Sequence, residues 1–185
     1  LPNFTIFTPA DPEQTYMACR EAAAIKGPVY IRAGSGREKN VFAENAPFSK
    51  DGITVLRDYG NDTLLLSSGF VLNRVLKAAE MLREKGVRVT AADINILYPQ
   101  DASRVLAAMK KVKNIVTVED HNVNGGLGSY ISRLAVENDP KKVTRIGLTT
   151  FGESGPADEL ADQYGFSPAN IAEVVCQSMG IPSFN

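Results

Sequence analysis

Histidine occurs once in this chain and cysteine twice, so the groups that build most zinc sites are nearly absent. Charge is close to balanced, with a formal net value of -1. That removes the electrostatic case for nucleic acid or an anionic membrane as partner. No apolar run approaches the roughly 20 residues that span a bilayer. The opening Leu1-Pro2-Asn3-Phe4 carries no basic signal-peptide region. It also lacks an initiator Met, which suggests a processed or trimmed chain. Cys19 and Cys176 both fall in helical patterns and are expected to be buried or half-buried free thiols of a reducing cytosol. A cytoplasmic protein is expected.

What is present is a regular alternation of strands and helices. Residues 4–7 read as a strand. Asp11, Pro12 and Gln14 then supply a helix start, with Asp11 as cap, Pro12 in the first turn and Gln14 closing a capping box. That helix runs to about Lys26 and stops at Gly27-Pro28. Residues 28–32 form a second strand ending in Arg32. Residues 33 to about 52 hold no sustained period and contain Gly34, Gly36, Pro47 and Gly52, the pattern of a linker. The β-α-β before it is too small to bury a core alone.

Beyond the linker, strands are read at 53–56, 63–66, 87–94, 115–118 and 143–147. Helices follow over 70–85, from a cap at Asp101, from 127 to about 136, at 156–164 and from Ser167-Pro168. Alternation of this kind predicts a three-layer α/β fold with a mostly parallel sheet. The first two of these strands look like a hairpin joined by 58–61, which predicts one antiparallel edge strand.

The stretch around which the chain is organised is 115–131. Ile115, Val116 and Val118 suit a strand covered on both faces. Glu119, Asp120 and His121 follow where that strand is read to end, then Gly125, Gly126 and Gly128 lead into a helix. The carboxyl ends of strands are where open α/β sheets meet ligands. His121 is the one imidazole of the chain, a candidate acid or base with two acidic neighbours, but no nucleophile is tied to it by spacing. A loop or interface histidine is the preferred reading. The glycines could present N–H groups to an anion, or let the helix approach the strand closely. For the chain alone the second reading is favoured. Neither the G-x-G-x-x-G dinucleotide spacing nor a G-x-x-x-x-G-K-[ST] loop is present. Ser154, within Gly152-Glu153-Ser154-Gly155, misses the G-x-S-x-G elbow by one place. Arg32, at a strand end before a Gly-rich turn, is suited to a phosphate or carboxylate. A surface ion pair is its ordinary alternative.

Residues 151–160 (FGESGPADEL), followed by Tyr164-Gly165-Phe166-Ser167-Pro168, resemble the closing segment of transketolases. Val118-Glu119-Asp120-His121 with Gly125-Gly126-Leu127-Gly128 is similar to the corresponding turn of the wider thiamine-diphosphate group. That group includes 1-deoxyxylulose-5-phosphate synthase and the beta subunits of 2-oxo acid dehydrogenases. Residues 8–11 and 27–32 resemble the end of its pyrimidine-binding domain.

The resemblance implies that 1–34 is the tail of a pyrimidine-binding domain, 35–52 a linker and 53–185 the C-terminal domain. It implies transfer of a two-carbon ketol unit between sugar phosphates of the pentose phosphate type, with thiamine diphosphate and Mg2+ in the intact enzyme and none held by this chain. Arg32 matches the arginine that contacts substrate phosphate. No catalytic residue and no metal ligand is carried over, because the diphosphate–metal motif and the activating glutamate have no match here. Expected partners are an N-terminal section of the same enzyme and a second copy in a homodimer, with neither nucleic acid nor membrane. Glu119, Asp120, His121, Gly125, Gly126 and Gly128 remain candidates for a loop or interface. The alternatives are a non-catalytic binding or assembly module, or part of a 2-oxo acid dehydrogenase beta subunit or of a 1-deoxyxylulose-5-phosphate synthase.

Overall fold

The computed structural model describes residues 2–34, 39–44, 46, 48–98 and 101–182. Ser35 and Gly36 of the turn after Arg32, and Pro47 of the linker, lie outside the described residues. The chain runs β1 (Thr5–Phe7), α1 (Pro12–Ala24), β2 (Val29–Ile31), β3 (Thr54–Asp58), β4 (Thr63–Ser68) and, after a single 3-10 turn, α2 (Leu72–Glu84). It continues through β5 (Val89–Asp93), β6 (Ile96–Leu97), α3 (Ser103–Lys110), β7 (Asn114–Asn122), α4 (Leu127–Asn138), β8 (Val143–Leu148), α5 (Ala157–Gln163) and α6 (Pro168–Met179).

The larger sheet has five strands in the order β3-β5-β4-β7-β8. All pairings are parallel except that of the edge strand β3 with β5. The expected three-layer α/β fold with one antiparallel edge is what forms. Strand periodicity builds the layers. On β4, Leu65 packs into the core under α2 and α6, while Leu64 and Leu66 face the core under α3 and α4. On β7, Val116 and Val118 point to the first core and Ile115 to the second. Every residue of β4 is buried, as a central strand covered on both faces requires.

The expected hairpin does not form. β3 pairs with β5, not with β4. Both edges of β4 are taken by parallel partners, β5 and β7, so no edge is left for an antiparallel neighbour. The 58–63 connection instead passes across the start of β5, where Tyr59 N–H donates to the Val89 carbonyl (2.9 Å) and Asp62 N–H to that of Arg88 (3.0 Å).

The N-terminal β-α-β does not stand alone. β1 pairs in parallel with β2 and antiparallel with β6, a two-residue strand inserted after β5. Phe7, Ala18, Phe48 and Ile96 form a small core between them, with the Phe7 and Phe48 rings 4.9 Å apart edge to face. Thr8 fastens the two sheets: its N–H donates to the Asn95 carbonyl (2.9 Å) and its hydroxyl to that of Ile94 (2.9 Å). Asp11 caps α1 as expected, while Gln14 reaches one residue further back than a capping box would. Asp11 Oδ1 accepts from Gln14 N–H at 2.7 Å, and Gln14 Oε1 reaches back to Ala10 N–H at 2.6 Å.

Three finer expectations change. Asp101 does not occupy the cap; α3 starts at Ser103, whose N–H Asp101 accepts from just outside the helix (2.8 Å). β7 extends to Asn122, so Glu119, Asp120 and His121 belong to the strand rather than to a loop after it. Cys19 is exposed on α1, while Cys176 is buried in α6, where desolvation pushes its thiol pKa up. No helix of the described residues is long and apolar enough to cross a membrane.

Candidate functional site

The helices leave β4 and β7 in opposite directions, β4 toward β5 and β7 toward β8. The crevice between their carboxyl ends is therefore the topological switch point, where open α/β sheets bind ligands. Here it is closed by the chain itself. Arg32, immediately after β2, donates its backbone N–H to the Phe7 carbonyl (2.8 Å) and turns its guanidinium to the end of β7. Nη1 donates to Asp120 Oδ2 at 2.8 Å and Nη2 to the Asp120 carbonyl at 2.6 Å.

The cation is the outer member of the pair. Its side chain is 31% exposed against 14% for Asp120. Asp120 Oδ1 is buried and has no hydrogen-bond partner among the described residues. It packs on Gly69, the first residue after β4, which has φ +74. A Cβ on Gly69 would lie 2.5 Å from that oxygen and 3.6 Å from Arg32 Nη1. Glycine is required there both for its backbone angle and for the space. Gly69 N–H reaches the Thr8 carbonyl at 3.3 Å, so both sheets converge on this point.

Glu119 points the other way from Asp120, as adjacent strand residues do. It is 1% exposed, and its carboxylate sits on the N-terminus of α4. Oε2 accepts from Leu127 N–H (2.6 Å) and Oε1 from Gly128 N–H (2.8 Å). This satisfies two of the helix's orphan donors and places negative charge at the positive end of its dipole. Burial raises the Glu119 pKa, opposed by these two N–H groups and by the nearby His121.

The glycine turn is shaped by that carboxylate. A Cβ on Gly126 would collide with Glu119 Oε2 and lie 2.9 Å from His121 Nδ1. One on Gly128 would lie 2.6 Å from Arg145 Cδ and 3.0 Å from Thr117 Oγ1. Gly125 adopts φ +101, and among the described residues nothing crowds the place of a Cβ there. His121 is half-buried, with Nδ1 2.8 Å from the Asn122 carbonyl. The structure thus brings Arg32 and Asp120 together, and separately groups Glu119, His121 and the glycines at the α4 N-terminus.

Two features carried no signal in the sequence. One is Gly69, an ordinary-looking glycine until Asp120 is placed against it. The other is Asp93 at the end of β5, which is fully buried and accepts from Gln14 Nε2 at 2.6 Å. Burial pushes its pKa up to about 7, the Gln14 bond opposes this, and nearby Asp11 adds to it. Asp11 is itself buried and accepts the N–H groups of Val41 and Phe42 through Oδ2 (2.7 and 2.8 Å). Among the described residues, no group of three or more His, Cys, Asp or Glu side chains is placed to hold a metal ion.

Fold and site together define a doubly wound α/β domain whose switch point is filled by its own Arg–Asp pair, with a β-α-β unit joined to it. Residues 52–171 match the model of the family described as transketolase, C-terminal domain. The chain belongs to this family and is a C-terminal part of the transketolase type. It is 34% identical over 97% of its length to a putative transketolase C-terminal section of Methanocaldococcus jannaschii, and spans 57% of that protein. It is 32% identical over 92% of its length to a 6-deoxy-6-sulfo-D-fructose transketolase subunit of a Clostridium species, spanning 53% of it. A solved structure described as a split gene transketolase, inactive β4 tetramer, superposes with a TM-score of 0.91 at 31% identity, covering 98% of this chain and 59% of that one. The chain thus spans little more than half the length of these relatives.

Proposed function

We propose that this chain is the C-terminal section of a split transketolase that moves a two-carbon ketol unit between sugar phosphates. In this reading it acts in the cytoplasm, with an N-terminal section of the same enzyme and as part of a homodimer. Residues 1–34 are the tail of the pyrimidine-binding domain, 35–52 the linker and 53–185 the C-terminal domain. The observation that carries the reading is Arg32: a cation at a strand end, fixed from its inner side and open to solvent on its outer side. Relatives described as sections or subunits of transketolases support it.

The role of Arg32 is electrostatic. A guanidinium presents N–H groups in a plane that matches a phosphate bidentately. Holding the distal phosphate fixes the sugar at its far end, so binding energy remote from the reacting bond is used to orient it. Asp120 and the rest of the junction supply rigidity.

Membership of the transketolase family implies thiamine diphosphate in the intact enzyme. The described residues do not suit that group. No acidic or histidine cluster could hold its metal ion, and Glu119 already fills the α4 N-terminus, where a diphosphate would otherwise meet N–H groups. No step through the cofactor is therefore derived for this chain, and in this reading thiamine diphosphate and Mg2+ belong to the N-terminal section.

The test is reconstitution. The chain alone is expected to show no ketol transfer, and addition of its N-terminal section is expected to restore it. Calorimetric binding of thiamine diphosphate and Mg2+ by the isolated chain at micromolar affinity would overturn the reading.

A further inference from the structure

We propose that Asp120 is the positioning residue for Arg32 in substrate recognition, so that the C-terminal domain shapes the sugar-phosphate site without touching substrate. The proposal rests on the reading that Arg32 takes the distal phosphate.

Asp120 holds the guanidinium at two points, by its carboxylate and by its own backbone carbonyl. Two contacts to different nitrogens fix both the position and the plane of the fork, which one surface ion pair does not do. The holding group is also fixed before any ligand arrives. Asp120 is in strand β7, next to Glu119, which is locked onto the N-terminus of α4. Its second oxygen is buried against Gly69, where no side chain fits. The carboxylate therefore has little room to follow a moving arginine.

The exposures set the direction of the device. The carboxylate is the inner member and the guanidinium the outer one, so the N–H groups not used by Asp120 are those left for an incoming anion. An arginine held this way loses less side-chain freedom on binding phosphate than a free one would. The pair joins residues 88 apart in sequence and belongs to both sheets, so the shape of the phosphate site depends on how the C-terminal domain seats against the N-terminal unit.

The test uses the assembled enzyme, this chain with its N-terminal section, assayed with xylulose 5-phosphate and with unphosphorylated xylulose. Asp120→Ala is expected to raise KM for the phosphorylated sugar about tenfold, leaving kcat and the KM for xylulose within about twofold. Asp120→Asn keeps an oxygen where Nη1 donates, and is expected to recover most of the loss. A merely structural role would not separate the two sugars. An equal change for both, or no recovery in Asp120→Asn, overturns the proposal. Arg32→Ala, run alongside, separates the two levels. If it is selective for the phosphorylated sugar and Asp120→Ala is not, this proposal falls and the phosphate role of Arg32 stands. If Arg32→Ala shows no selectivity, both fall.

Discussion

Gln14 on α1 donates its amide to Asp93 at the end of β5 at 2.6 Å, joining the N-terminal unit to the larger sheet through a buried carboxyl. Asp93 is raised to about 7 by burial, above its ordinary carboxylate value. The folded state therefore holds this proton more tightly than the unfolded chain does. Between about pH 4 and pH 7 the unfolded chain binds fewer protons, so this group's contribution makes stability fall as pH rises. The penalty is complete above pH 7 and absent below the ordinary carboxylate range. The urea midpoint of the wild type is expected to be lower at pH 8 than at pH 5, by an amount equivalent to at most about 3 kcal/mol. Asp93→Asn keeps an acceptor for Gln14 and should flatten that drop. The same slope in both proteins would remove Asp93 as its origin.

Glu119→Ala is expected to cost roughly 2–5 kcal/mol, because it leaves the buried N–H groups of Leu127 and Gly128 without acceptors. Glu119→Gln keeps one good acceptor and should lose less. Amide exchange at Leu127 and Gly128 gives the local readout. Unchanged protection in Glu119→Ala would mean that α4 is capped by something else.

Gly126→Ala should destabilise by about 1–3 kcal/mol through collision with the Glu119 carboxylate. The decisive measurement is the double variant. With Glu119→Ala already present, the added Cβ has room, and the cost of Gly126→Ala should shrink. Additive costs would show that the two residues do not share that space.

Arg32→Ala in the assembled enzyme should raise KM for phosphorylated substrates by at least tenfold, as expected for loss of a charge-assisted contact. The KM for unphosphorylated sugars should hardly change. Steady-state kinetics on the two substrate classes checks this, and an equal effect on both would remove the phosphate role.

Local chemistry was legible wherever partners lie within a turn of one another. Asp11, Pro12 and Gln14 announced the start of α1, and Ser167-Pro168 that of α6; the bonds that honour them span three residues, Gln14 N–H to Asp11 and Asn170 N–H to Ser167. Alternation of strands and helices was enough for a three-layer α/β fold, since each apolar stripe must find a covering layer. Arg32 and the 119–128 stretch were both visible as unusual. Their connection was not, because a salt bridge across 88 residues leaves no mark in composition or spacing.

The partner of β3 was decided in the same non-local way. Its own residues and the 58–61 turn suit a hairpin, but β4 is buried along its whole length and has parallel neighbours on both sides, and β3 is displaced to β5. β6 was illegible for a related reason: two residues, Ile96 and Leu97, make a strand only because the open edge of β1 lies beside them. The sequence by itself determined most of the helices and strands and which of their faces are apolar, because those follow from neighbours along the chain. Only the tertiary structure decided which edges pair, that Glu119 caps α4 from the strand before it, and that Asp120 holds Arg32, because each joins groups whose proximity depends on the packing of the whole chain.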